Sequence, residues 1–152
     1  MRRRRIVVLF AVLALAVALV AGRPARAEDA AIVEQKATWE MSYGAVYYSV
    51  HGFVQNKSQK PIHYVKLQLE LLDASGNSVY AFSGYNQKAE TLGDVEGEGA
   101  GGMAKTPLDE KLKKIEALQP GEKDLFRIGI SKDDIPKKPK FKSYSVKIVE
   151  VR

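Results

Sequence analysis

His51 and His63 are the only imidazoles in this chain, which contains no cysteine. A zinc site needs several nitrogen or sulfur ligands converging on one point, so two separated histidines, each in or beside an alternating strand segment, do not make one. Asp94, Glu96 and Glu98 alternate within GDVEGEGAGGMAK and offer oxygens of the kind calcium takes, but the EF-hand spacing with its closing bidentate glutamate is missing. No G-x-S-x-G elbow occurs, and no serine stands beside a base that would activate it. Carboxylate pairs for glycoside chemistry converge only in space, and nothing in the sequence singles one out. The expectation is a protein with no catalytic residues, no metal ligands and no cofactor, and therefore not an enzyme.

Residues suited to binding are easier to find. Lys137, Lys138, Lys140 and Lys142, interrupted by Pro139 and preceded by Pro136, form the one clear charge run. Such a run can hold an anionic wall polymer, a lipid or an acidic partner, and it can also guard an exposed strand edge against aggregation. Of the seven tyrosines, Tyr48, Tyr80 and Tyr144 fall on strand faces where packing accounts for them. Tyr43, Tyr64 and Tyr85 are the candidates for an exposed aromatic platform, which would suit either a carbohydrate or a protein surface. Trp39, the only tryptophan, reads as a core anchor.

The elements that must position these residues are strands. Val65, Leu67, Leu69 and Leu71 alternate with Lys66, Gln68 and Glu70, the period-2 signature of a sheet with one buried face. A slip of one residue would put the leucines in water, so the pattern fixes the register. Before it, AVYYSVHGFVQN is apolar on both parities, as a central strand is. Residues 36 to 42 alternate through Ala37, Trp39 and Met41 and predict a first strand, with 28 to 35 a flexible leader. The Ser75-Gly76-Asn77 hairpin signal leads into a strand from 78 to 83, and residues 85 to 92 are expected to return as another.

Residues 93 to 105 hold five glycines and predict a mobile loop. Thr106, Pro107 and Asp109 then read as a helix start, with Leu108, Leu112, Ile115 and Leu118 at helical steps, so a helix is expected over 107 to 118. Pro120-Gly121 fits the centre of a type II turn. A strand follows with Phe126, Ile128 and Ile130 inward. The last strand, 141 to 151, changes parity after Ile148, as at a bulge or where a covering lies on the solvent side. About seven short strands and one short amphipathic helix in a long connection make an all-β sandwich.

The run from Gly52 through Val54, Asn56, Val65, Leu67, Leu71, Asp73, Gly76 and Val79, followed much later by Leu118, Pro120, Gly121, Phe126, Ile128 and Ile130, resembles the FxLYD-type domain. The resemblance covers residues 42 to 151; Leu69 stands where that pattern has its Phe and Leu72 where it has its Tyr. It implies an immunoglobulin-like β-sandwich of bacterial extracytoplasmic proteins, with no shared enzymatic activity and no active-site residues.

Residues 1 to 27 read as a secretory signal peptide: arginines at 2 to 5, an apolar run over 6 to 21, and the cleavage box Ala25-Arg26-Ala27. Six of the 24 basic residues lie before Glu28 and no acid does, so 18 of each sign remain after it. A balanced chain gives no general attraction to nucleic acid. Cleavage would leave no stable membrane span, one domain over 36 to 152, and a periplasmic or extracellular location. The expected function is a secreted, non-catalytic interaction or scaffolding module of the cell envelope, its partner another envelope protein or a cell-wall polymer. The alternative is a sandwich that binds carbohydrate or peptidoglycan.

Overall fold

The computed structural model describes residues 27 to 92 and 108 to 152. Six strands occupy them: β1 (Ala30–Ser42), β2 (Ala45–Asn56), β3 (Val65–Leu72), β4 (Ser78–Tyr85), β5 (Lys123–Ser131) and β6 (Ser143–Val151). They form two antiparallel three-stranded sheets, ordered β1-β2-β5 and β4-β3-β6. Among the described residues helix is confined to short pieces, one of them α1 (Leu108–Leu112). The segment before Ala27, expected to be a signal peptide, the glycine-rich run over 93 to 105 and the expected helix start at Thr106 and Pro107 lie outside the described residues.

The leucine alternation of β3 forms the centre of the core. Val65, Leu67, Leu69 and Leu71 are all fully buried, and from the other sheet Val50, Val54, Phe126, Ile128 and Ile130 pack into the same cluster. Across the layers β4 lies against β5 and β1 against β6. On β6 the ladder pairs Leu67 with Ile148 and Lys66 with Glu150. The expected parity change is therefore a bulge that leaves Val149 out and exposed and returns Val151 to the core. Opposite the central strand, Gly52 lies so close to β1 that a Cβ there would stand 1.9 Å from the Glu34 carbonyl oxygen.

The turns follow from their residues. The Asp73 carboxylate accepts the backbone N–H groups of Ser75 (2.8 Å) and Asn77 (2.9 Å). The bond from Asn77 is the main cause that holds the Asp73 carboxyl below its ordinary pKa. Gly121 takes φ 78° and Glu122 N–H donates to Gln119 O at 2.9 Å, the turn that Pro120-Gly121 predicts.

Four expectations are corrected. Residues 30 to 35 are not a leader but the first half of β1, paired with β2 from Asn56 to Gly52. Six strands, not about seven, occupy the described residues, because the return strand expected over 85 to 92 is absent: β4 runs through Gly84 to Tyr85, and Gln87–Ala89 is a 3-10 turn. α1 stops at Leu112; Leu118, instead of ending that helix, exchanges backbone hydrogen bonds with Ile62 in an isolated bridge. Trp39 is no core anchor, being about half exposed at 49%.

Buried polar groups close the end of the molecule opposite the β1–β2 turn. The Asn56 amide donates to the carbonyls of Lys60 (2.8 Å) and Leu118 (2.9 Å), while its oxygen accepts from Ser58. Asn86 accepts from Val65 N–H at 2.7 Å and donates to Asp124 at 2.8 Å, linking the start of β3 to the start of β5. At this same end Lys88 reaches Glu122 at 2.6 Å. That bond is the main cause raising the Lys88 pKa and lowering that of Glu122.

Candidate functional site

β1 and β2 run 13 and 12 residues, against eight or nine for the strands of the second sheet. Ala37 and Tyr48 still pack on the shared core, but Trp39 and Met41, further along the same face of β1, do not belong to it. The β1–β2 hairpin thus projects past the second sheet, and exposure climbs toward its tip: Trp39 49%, Met41 76%, Tyr43 105%. Tyr43 occupies the turn itself with φ 49°, a left-handed conformation that tyrosine adopts at a cost.

The segment from 132 to 142, joining β5 to β6, crosses the molecule beneath this overhang. Ile135 and Phe141 rest on the core. Phe141 stands 5.0 Å from Tyr48 edge-on and 6.3 Å from Trp39, and Trp39 meets Tyr48 at 5.1 Å, also edge-on. Burial, and after it the neighbouring Tyr144, pushes the Tyr48 phenol above its ordinary pKa. Between overhang and segment lies an open cleft of about 780 Å³. Trp39, Phe141, Ile135 and Pro136 provide its apolar surface, and Lys132, Lys137, Lys138, Lys140 and Asp133 its charged one.

Lys88, Arg127, Lys147 and Arg152 each pair with a carboxylate on a neighbouring element. Among the described residues none of the four cleft lysines takes part in an ion pair. Among the lining residues Asp133 is the one acid beside these four lysines and the two aromatic rings.

The binding residues named from sequence divide between the two ends. Lys137, Lys138 and Lys140 line the cleft; Lys142 is exposed just beyond it, its backbone N–H held by Leu72 O at 2.7 Å. Tyr43 stands at the hairpin tip. Tyr64 and Tyr85 are at the opposite end and make no platform. Tyr64 is 3% exposed in a second apolar cluster with Ala89, Leu92, Leu112 and Ile115, and its ring meets that of Tyr85 edge-on at 5.5 Å. Burial is the first cause, and the hydrogen bond to Glu150 the second, that pushes the Tyr64 phenol up to about 12. Sequence reasoning missed Trp39, Phe141, Lys132 and Asp133 as site residues. The signal that could have found them is the unequal length of the strands, which leaves the end of the β1–β2 hairpin without a facing layer.

His51 and His63 do not come together: His51 pairs with Lys36 and Arg127 in the first sheet, whereas the His63 backbone binds Arg152. Among the described residues no group of His, Asp or Glu is placed to hold a metal ion, and no helix is long and apolar enough to cross a membrane. Asp94, Glu96 and Glu98 lie outside those residues. The chain matches no family model, no curated protein and no solved structure.

Proposed function

We propose that this chain is an exported, non-catalytic binding module of the cell envelope, built on an immunoglobulin-like sandwich of the FxLYD type and freed from its signal peptide after residue 27. The cleft beneath the β1–β2 hairpin is its contact surface. One observation carries the reading: a half-exposed tryptophan and Phe141 line one cleft with four lysines, none of which takes part in an ion pair among the described residues. Desolvated aromatic anchors ringed by polar groups are where binding energy concentrates, and loops on a rigid sheet scaffold are where binding sites sit.

The partner is an envelope component, either another protein or a cell-wall polymer. The test uses the mature protein immobilised beside a variant carrying Trp39→Ala, Lys137→Gln and Lys138→Gln. A component of envelope extract retained by the first and lost by the second is the expected result. Equal retention by both, or none by either, would overturn the reading.

A further inference from the structure

The geometry points to an acidic glycan as the occupant of the cleft, a chain of sugar rings bearing carboxylate or phosphate groups; the inference rests on the binding-module reading above. Every kind of lining residue then has a role. Trp39 and Phe141 present apolar ring surface to the C–H face of a pyranose. Lys132, Lys137, Lys138 and Lys140 meet the anions. Asp133, set among them, accepts hydrogen bonds from sugar hydroxyls, which a carboxylate can do twice through its two oxygens.

Asp133 favours a ligand that carries hydroxyl donors beside its anions. It opposes the anions of a peptide and of a glycan alike and donates to neither; what a glycan adds is hydroxyl donors on every ring, which an acidic side chain of a peptide lacks. The concave shape argues the same way, because a single polymer chain enters a cleft between hairpin and crossing segment, whereas a flat bilayer does not. The choice of lysine also fits. Ammonium groups on flexible stems follow anions spread along a polymer, where arginine would favour planar bidentate pairing at one fixed point. An open cleft of about 780 Å³ falls within the size range of ligand sites, about 300 to 1,000 Å³.

Trp39 is the only tryptophan, so occupancy of the cleft is read directly as a change in intrinsic fluorescence. The mature protein is titrated at low salt with a short oligogalacturonide, phosphorylated dextran, neutral dextran and poly-glutamate. Saturable binding of the oligogalacturonide or the phosphorylated dextran is expected, with the stronger of the two identifying the anion. Neutral dextran and poly-glutamate should bind at least about tenfold more weakly. The Lys137→Gln, Lys138→Gln, Lys140→Gln variant should lose about tenfold or more, the scale of a binding hot spot. Asp133→Ala, which removes both acceptor oxygens, should bind the acidic glycan more weakly than Asp133→Asn, which removes the same charge but keeps one acceptor; equal binding by the two variants overturns the role of Asp133. All these side chains are exposed, and unchanged cooperative unfolding verifies that the variants fold. Poly-glutamate binding as tightly as either acidic glycan, or glycan binding indifferent to the lysine substitutions, overturns the assignment. So does the absence of binding by both acidic glycans. In each case a protein retained from envelope extract in a Trp39-dependent manner would leave the broader reading standing, so the two failures are told apart.

Discussion

The side-chain amide of Asn86 donates to the Asp124 carboxylate at 2.8 Å, and the same oxygen accepts Lys88 N–H at 2.8 Å. Both side chains are buried, Asn86 completely and Asp124 to 8% exposure. Because Asn86 also accepts from Val65 N–H, the pair ties the two sheets together where β3 begins and β5 begins. Asp124→Ala strands two donors, the buried Asn86 amide and the partly buried Lys88 N–H, at about 1 to 3 kcal/mol for a fully buried orphaned group. Urea unfolding of this variant should therefore show a clear loss. A double-mutant cycle with Asn86→Ala should be strongly non-additive, since either change alone breaks the link. Additive losses would mean that the two side chains act independently.

The leucine face of β3 should be the most sensitive surface in the molecule. Leu69→Ala removes a fully buried side chain between the layers and should cost roughly 2 to 5 kcal/mol. Met41→Ala, at 76% exposure on the hairpin, should stay within about 0.5 kcal/mol of the parent. Chemical denaturation of both variants measures the contrast, and similar losses would contradict the overhang.

The legible and illegible parts of this fold differ for physical reasons. Alternation in β3 and β5 was readable because each strand is covered on one face along its whole length. The β6 bulge was readable because it changes parity at a definite residue. The first half of β1 was not, since a register shift between Ile32 and Glu34 breaks the alternation that would have marked it. Leu118 fits helical spacing as well as it fits a bridge to Ile62, and the choice is made by Asn56, distant in sequence, whose amide takes the Leu118 carbonyl. The cleft was half legible. Its lysines form a run in the sequence, but the exposure of Trp39 depends on how far one sheet outreaches the other, which no local pattern records. Tyr64 failed as a surface candidate for a similar reason: Leu112 and Ile115, from a segment far along the chain, cover it.

Tyr43 gives a test of whether stability is traded for display at the hairpin tip. Asparagine adopts the left-handed conformation readily and suits the first position of a two-residue hairpin before glycine. With φ 49° at Tyr43 and no burial, Tyr43→Asn should raise the stability by about 1 kcal/mol. If the tip contributes to the contact surface, the same variant should bind more weakly while melting higher. A lower melting temperature would show that the tyrosine ring contributes packing of its own.

Alkaline pH should unfold the protein through its buried phenols. Tyr64 is pushed up to about 12 by burial and by its bond to Glu150, against about 10 for an exposed tyrosine. The folded state therefore favours the neutral phenol. Its contribution is complete below pH about 10 and is lost as pH rises through about 12, because the unfolded chain releases that proton first. Tyr48 is raised in the same direction by burial and by Tyr144, so it adds to the decline in that window. Denaturant midpoints measured from neutral pH upward should fall across this range, and the fall should be shallower in Tyr64→Phe, which has no proton to release. Ultraviolet titration of phenolate absorbance should show Tyr64 and Tyr48 lagging the exposed tyrosines, with the later of these steps lost in the same variant. An unchanged slope in Tyr64→Phe would place the alkaline transition elsewhere and remove Tyr64 from the buried cluster under Leu112 and Ile115.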